Sequence, residues 1–233
     1  MDASISNLLG LSVVATDGNV GIVQDFYFDD QTWMVRYLIV KGGDWLAGRK
    51  VLISPFSLVH PPEKPGSFPV NLTREQIRNS PDINTDKPVY RQQEIQLSEY
   101  YPGLDYWGKG SYAGGVANAS IILDKRVIEK VFKKDNEPAT DLHLQSILHM
   151  TGYRINAIDG ELGHVRDFIV NDGTWKLAYI VVETHKFFGG KKVLVPVGDI
   201  TKEQWSSSEI YVDITRTAIK DSPVYVNADK TIS

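Results

Sequence analysis

The sequence of 233 residues contains no cysteine. That absence excludes disulfide bonds, thiolate catalysis and cysteine-ligated zinc or iron–sulfur centres. The sequence also lacks any apolar run that approaches the ~20 residues of a membrane-spanning helix. Its first residues include an acid, Asp2, where a signal peptide would carry basic residues. We therefore expect a cytoplasmic protein with no transmembrane segment.

An excess of positive charge and the common catalytic motifs are also missing. The formal net charge is −4, which argues against a dedicated nucleic-acid-binding protein because such proteins usually present a basic face. The phosphate-loop, dinucleotide-binding and nucleophile-elbow motifs are absent. The histidines fall on different predicted elements without the spacing of a zinc site: His60, His143, His149, His164 and His185. We therefore predict no nucleic-acid partner, no cofactor, no metal ion and no enzymatic activity.

The most informative feature that is present is an internal duplication. Residues 21–52 and 163–194 align without a gap, and the same offset of 142 residues holds from Gly10 and Gly152 to Pro81 and Pro223. About a third of the paired positions are identical. A repeat of this length indicates one domain per copy. We predict a first domain over residues 1–90, a linker over 91–140 with a short helix and a Gly/Ala/Ser-rich loop, and a second domain over 141–233.

The pattern within each copy is typical of short β-strands joined by tight turns. Apolar side chains alternate along one strand in each copy, namely Trp33, Val35, Tyr37 and Ile39, and then Trp175, Leu177, Tyr179 and Val181. Asp-Gly pairs predict the hairpin turns, and Thr73 and Thr215 stand where a terminal helix would have its N-cap. The predicted fold is mainly β: two tandem small β-barrels, each with short terminal helices, joined by a partly helical linker.

The repeated motifs resemble the PRC-barrel family. They are G-x-V-x-D-F, then D-x-x-T-W (which reads N-D-G-T-W in the second copy), then an aromatic strand and G-[RK]-K-V-L, in the same order in both copies. The resemblance implies the fold of the cytoplasmic part of the photosynthetic reaction-centre H subunit and of the C-terminal half of a ribosome maturation factor. We expect neither the transmembrane helix of the first nor the distinct N-terminal domain of the second in this chain. It is most similar to stand-alone tandem members.

Asp25 and Asp167 are repeat-equivalent carboxylates at a point where the apolar alternation of a strand breaks. One interpretation is a pair of catalytic or ligand-binding carboxylates, one in each barrel. The other is structural, in which each carboxylate accepts hydrogen bonds from N–H groups that a β-bulge leaves unpaired. We predict the structural role.

A second candidate surface is the loop that precedes the third long strand of each copy. Both loops combine large apolar side chains with two cations. Aromatic residues and arginine are enriched at interfaces, so the candidate partner-binding residues are Trp45, Leu46, Arg49, Lys50, Phe187, Phe188, Lys191 and Lys192. The alternatives are packing against their own barrel or the linker, and contact with an acidic membrane or RNA.

The function predicted from these features is a non-enzymatic binding or scaffold module that contacts a protein partner or a second copy of itself. One alternative is a small-ligand-binding protein or enzyme with a site between the barrels, because ligands often bind in such clefts. A further alternative, suggested by the resemblance, is an accessory of a photosynthetic or membrane electron-transfer assembly.

Overall fold

The computed structural model describes residues 2–59, 66–80, 144–185, 190–204, 207–220 and 225. The fold is mainly β and contains two sheets, one for each repeat, which confirms the predicted fold class. The described residues of both repeats belong to one compact unit. The predicted linker, 91–140, lies outside the described residues. Within the described part of the chain, no helix combines the length and the apolar character needed to cross a bilayer.

The elements of the first half are short. The strands are β1 (Asp2–Ser4), β2 (Ser12–Ala15), β3 (Gly18–Asp29), β4 (Met34–Gly42), β5 (Lys50–Ile53) and β6 (Ser67–Pro69). The helices are α1 (Ile5–Leu8) and α2 (Arg74–Arg78), with 3-10 turns at Asp44–Leu46 and Pro55–Ser57.

The second half repeats this order and has one additional strand, β12. Its strands are β7 (Leu144–Ser146), β8 (Arg154–Ala157), β9 (Gly160–Asn171), β10 (Leu177–Thr184), β11 (Lys192–Pro196), β12 (Ile200–Gln204) and β13 (Glu209–Val212). Its helices are α3 (Ile147–Met150) and α4 (Arg216–Lys220), with a 3-10 turn at Val197–Asp199. The offset of the duplicated sequence thus carries over to the strands and helices.

Local chemistry explains why the elements end where they do. Thr73 and Gln76 form a reciprocal capping box at the start of α2, which supplies partners for amides that a helix leaves unbonded. At α4 the cap is one-sided: the Thr215 hydroxyl accepts from the amide of Ala218 at 3.2 Å. The glycine that opens the G-x-V-x-D-F motif is required by a close approach, since a Cβ on Gly21 would lie 2.0 Å from the carbonyl oxygen of Lys41.

Both sheets contain the bulge that the broken alternation predicts. The register between β3 and β4 shifts between Val23 and Asp25, and the register between β9 and β10 shifts between Val165 and Asp167. A bulge adds one residue to one strand and bends it. The bend places Asp25 and Asp167 at equivalent points of the two sheets.

The first strand of each half pairs with the sheet of the other half. Strand β1 pairs antiparallel with the end of β9, where Ser4 lies opposite Ile169. Strand β7 pairs antiparallel with the end of β3, where Ser146 lies opposite Tyr27. The two repeats therefore exchange their leading strands reciprocally, and the domain limits of 1–90 and 141–233 stay a prediction.

The repeat-equivalent tyrosines of the aromatic strand differ in burial. Tyr37 is 4% exposed, as the strand pattern predicts, whereas Tyr179 is only half-buried. Trp33 and Trp175, which begin this face, are both buried. Strict duplication of the pattern therefore does not give identical burial at this position.

We expect Tyr37→Ala to destabilise the protein by about 3–5 kcal/mol, the range for removing a large buried aromatic side chain. Tyr179→Ala is the matched control and should cost less, because part of the Tyr179 ring is already in water. Urea unfolding of both variants measures the difference. Equal losses would contradict the difference in burial.

Candidate functional site

The seam between the two repeats is filled by aromatic side chains. Trp175 of the second repeat stacks on Phe26 of the first, with ring centroids 6.2 Å apart, and Phe68 lies against the same indole at 6.1 Å. Phe28 of the first repeat contacts Phe168 of the second at 6.2 Å. Pairs of this kind contribute about 0.5–1.5 kcal/mol each beyond the area they bury. The seam is therefore an apolar core shared by both halves.

Main-chain hydrogen bonds cross the seam in a reciprocal arrangement. The amide of Val35 donates to the carbonyl of Trp175 at 2.8 Å, and the amide of Leu177 donates to the carbonyl of Trp33 at 2.8 Å. Trp33 and Trp175 both have left-handed backbones, with φ of 59° and 57°. This conformation costs about 1–3 kcal/mol for a residue with a side chain. The strained tryptophans of the two Thr-Trp turns thus provide carbonyls that join the repeats.

Asp25 binds the leading segment of the second half. One carboxylate oxygen accepts hydrogen bonds from the amides of Phe26, at 2.7 Å, and Leu148, at 3.1 Å. The other accepts from the Ser146 hydroxyl at 2.5 Å. Because Leu148 lies in the first turn of α3, the carboxylate of one repeat caps the helical turn of the other.

Asp167 makes the equivalent contacts with the leading segment of the first half. Its carboxylate accepts from the amide of Phe168 at 2.8 Å and from the amide of Ser6 at 3.0 Å. It also accepts from the hydroxyls of Ser4 and Ser6. Both aspartates therefore bind one amide beside the bulge and further donors from the opposite repeat. We call these two sets of contacts the aspartate clasps.

The clasp carboxylates differ in burial. Asp25 is 8% exposed, and its desolvation raises the pKa of the carboxyl above the ordinary value of 3.8, although the bonds from Ser146, Leu148 and Phe26 favour the ionised form. Asp167 is half-buried. Their contacts agree with a structural role, which stays a prediction.

The first candidate loop packs against its own repeat. Leu46 is buried, and the Trp45 indole N–H donates to the carbonyl of Val20 at 3.0 Å. The guanidinium groups of Arg74 and Arg78 lie 4.3 and 5.4 Å from the Trp45 ring centroid. Leu46 is thus held inside the fold, while Trp45 is half-buried beneath two arginines that the sequence pattern did not single out.

The cations of the candidate loops lie in different surroundings. Arg49 donates to the carbonyl of Arg78 at 2.9 Å, and Lys50 favours the ionised form of Asp25 electrostatically. Lys191 is half-buried and Lys192 is exposed. Phe187 and Phe188 lie outside the described residues.

The profile of the PRC-barrel domain matches residues 1–59 and 152–230. The chain belongs to the PRC-barrel family. Within this PRC-barrel protein, the Asp-Phe pairs and the tryptophans of the two motifs lie at the seam between the repeats.

A curated relative shows how far the similarity extends. An uncharacterized protein of Deinococcus radiodurans is 31% identical over 101 residues. The matched part covers 42% of this chain and 35% of the relative. The PRC-barrel chain therefore spans about a third of that relative's length.

Sequence reasoning missed the residues that complete the clasps and one side-chain cluster. Ser4, Ser6 and Ser146 lie before the region in which the repeats are easily aligned, although the offset of 142 residues pairs Ser4 with Ser146. The missed cluster is Glu161, His164 and His185, whose potential ligand atoms all lie within 4.8 Å of one another. The pairing of β9 with β10 brings the histidines together, although they are too far apart in the sequence to form a short motif.

The raised pKa of Asp25 leads to a pH-dependent prediction. When the pH lies between the ordinary pKa of 3.8 and the higher pKa of the folded state, this carboxyl binds more protons in the native state than in the unfolded state. The stability that Asp25 contributes therefore falls as the pH rises through that interval. Asn at this position does not titrate. We expect the free energy of unfolding of the parent, minus that of Asp25→Asn, to fall as the pH is raised from 3.8.

Urea unfolding of both proteins at a series of pH values measures this difference, and the contributions of all other carboxyls cancel in the subtraction. A difference that rises with pH would show that hydrogen bonding to the carboxylate, rather than burial, dominates at Asp25.

Proposed function

We propose that the protein is a non-enzymatic, cytoplasmic binding module in which two PRC-barrels form one rigid body. The observation that supports this proposal best is the cluster formed by Trp45 with Arg49, Arg74 and Arg78, which we call the Trp45 surface. Two guanidinium groups lie over one half-buried indole, and the third binds the carbonyl of Arg78. Indole and guanidinium groups are the side chains most enriched at the energetic centres of interfaces.

The proposed partner is a protein segment that carries carboxylate side chains, either from another protein or from a second copy of this chain. Arginine binds carboxylates through two parallel hydrogen bonds, and an aromatic surface beneath it restricts its orientation. The chain itself carries a net charge of −4, so a second copy can also supply carboxylates. Asp44 and Glu75 are next to Trp45 and Arg74 in the sequence, and their carboxylates repel those of a partner. We therefore expect the partner to place its carboxylates against Arg49 and Arg78.

The filled seam favours a binding module over an enzyme or carrier with a site between the barrels. Trp175, Phe26 and Phe168 occupy the contact between the repeats, and the aspartates beside them are already bonded to the exchanged segments. A ligand at this position would have to displace a hydrophobic core. The outer surfaces are therefore the more favourable place for recognition.

We expect Arg78→Glu to weaken binding of a glutamate-rich peptide by about tenfold or more, which corresponds to about 1.4 kcal/mol. The reversed charge repels the peptide, and Arg78 is exposed in a short helix, so the fold should persist. Fluorescence anisotropy measures the peptide, and sedimentation equilibrium measures self-association. Binding should also weaken with added salt.

Lys176→Glu is the matched control, because it makes the same charge change at an exposed residue that directly follows a turn of the second repeat. Its affinity should stay close to that of the parent. A parent protein that neither self-associates nor binds the acidic peptide would reject this surface, as would equal binding of a peptide in which glutamine replaces glutamate.

A further inference from the structure

The second repeat brings three metal-ligating side chains together at one end of its central hairpin. Glu161 and His164 lie on β9, and His185 directly follows β10. The His185 Nε2 atom is 2.8 Å from a carboxylate oxygen of Glu161. The imidazole rings of His164 and His185 meet edge to face, with centroids 5.4 Å apart. All three side chains have potential ligand atoms within 4.8 Å of one another.

We propose that these residues bind a divalent first-row transition-metal ion, with Zn²⁺ as its best probe. Two imidazoles and one carboxylate form a ligand set that suits such ions, and three protein ligands leave a fourth position for water. Bonds of about 2.0–2.2 Å in a tetrahedral site place ligand atoms roughly 3.3–3.5 Å apart. The cluster therefore needs side-chain rotations rather than a change of backbone.

The backbone of the site is fixed by the sheet. His164 lies opposite Glu183 on one neighbouring strand and Arg154 on the other. The amide of His185 donates to the carbonyl of Leu162 at 3.2 Å, and the carbonyl of His185 accepts from Gly190 at 3.2 Å. A scaffold held in this way reduces the entropy lost when the ligands converge on an ion.

The neighbouring charges are consistent with metal binding at Glu161. Arg154 forms an ion pair with Glu209 at 2.8 Å, and Arg166 binds Glu183. Each of these guanidinium groups thus has a carboxylate other than Glu161. When the ion binds, it replaces the hydrogen bond between His185 and Glu161, since a ligating imidazole must present an unprotonated nitrogen.

The site belongs to one repeat. The residues at the corresponding positions of the first repeat are Asn19, Ile22 and Gly43, and together they offer no imidazole or carboxylate. The otherwise matched hairpin of the first repeat therefore supplies an internal comparison. It also indicates that the cluster is a specialisation added to the duplicated fold rather than a requirement of it.

Isothermal titration of the untagged full chain with ZnCl₂ tests the proposal. We expect saturation near one ion per chain and a loss of affinity of about tenfold or more in each of His164→Ala, His185→Ala and Glu161→Gln. His149→Ala, which removes an exposed histidine elsewhere in the second repeat, should bind like the parent. Mg²⁺ and Ca²⁺ should not compete, because they prefer oxygen ligands.

Grafting the ligands onto the first repeat provides the converse test. Asn19→Glu with Ile22→His and Gly43→His should add a second binding event, since a Cβ at Gly43 meets its nearest side-chain atom, in Trp45, at an ordinary 3.6 Å. Thermal melts without metal check that each variant folds. A parent chain that takes up no Zn²⁺, or whose affinity survives all three single substitutions, would reduce the cluster to a histidine–glutamate ion pair and overturn the proposal.

Discussion

The structure depends on a reciprocal hydrogen-bonding contact, in which an aspartate of each repeat binds the leading segment of the other. A short helix leaves its first amides without partners, and α1 and α3 contain only four residues each. Asp167 and Asp25 supply acceptors for those amides across the seam. The strands β1 and β7 then continue the opposite sheets. Neither half is therefore complete without a segment that the chain delivers from the other half.

The aromatic seam and the aspartate clasps support each other. Stacking of Trp175 on Phe26 requires the repeats to approach closely, and the exchanged strands hold them at that separation. The left-handed tryptophans are stabilised by the same contact, because their carbonyls accept amides of the facing repeat. Such a body supports the Trp45 surface, whose indole is bonded to Val20, and this suits the binding function proposed for it.

The sequence alone predicted the local features of each repeat, but it did not predict the contacts between the two repeats. The gap-free offset, the capping threonines and the broken alternation before Phe26 and Phe168 depend on neighbouring residues, and the structure confirms the strands, caps and bulges that they indicate. The strand exchange depends on long-range pairing, which no periodicity encodes. The Glu161 cluster was missed for the same reason, since His185 approaches Glu161 and His164 only through the pairing of β9 with β10. The pattern also gave no reason for the different burial of Tyr37 and Tyr179.

Native-state hydrogen exchange in Ser4→Ala tests most directly whether the clasps join the repeats into one cooperative body. Ser4 is buried, and its hydroxyl donates to Asp167 of the second repeat. The segment that follows α1 is bonded to β3, because the amide of Gly10 donates to the carbonyl of Val23. If both repeats rely on the exchanged segments, the amides of β3 and β9 should lose protection together. Loss of protection confined to β9, with β3 unchanged, would show two independent barrels and contradict the shared body.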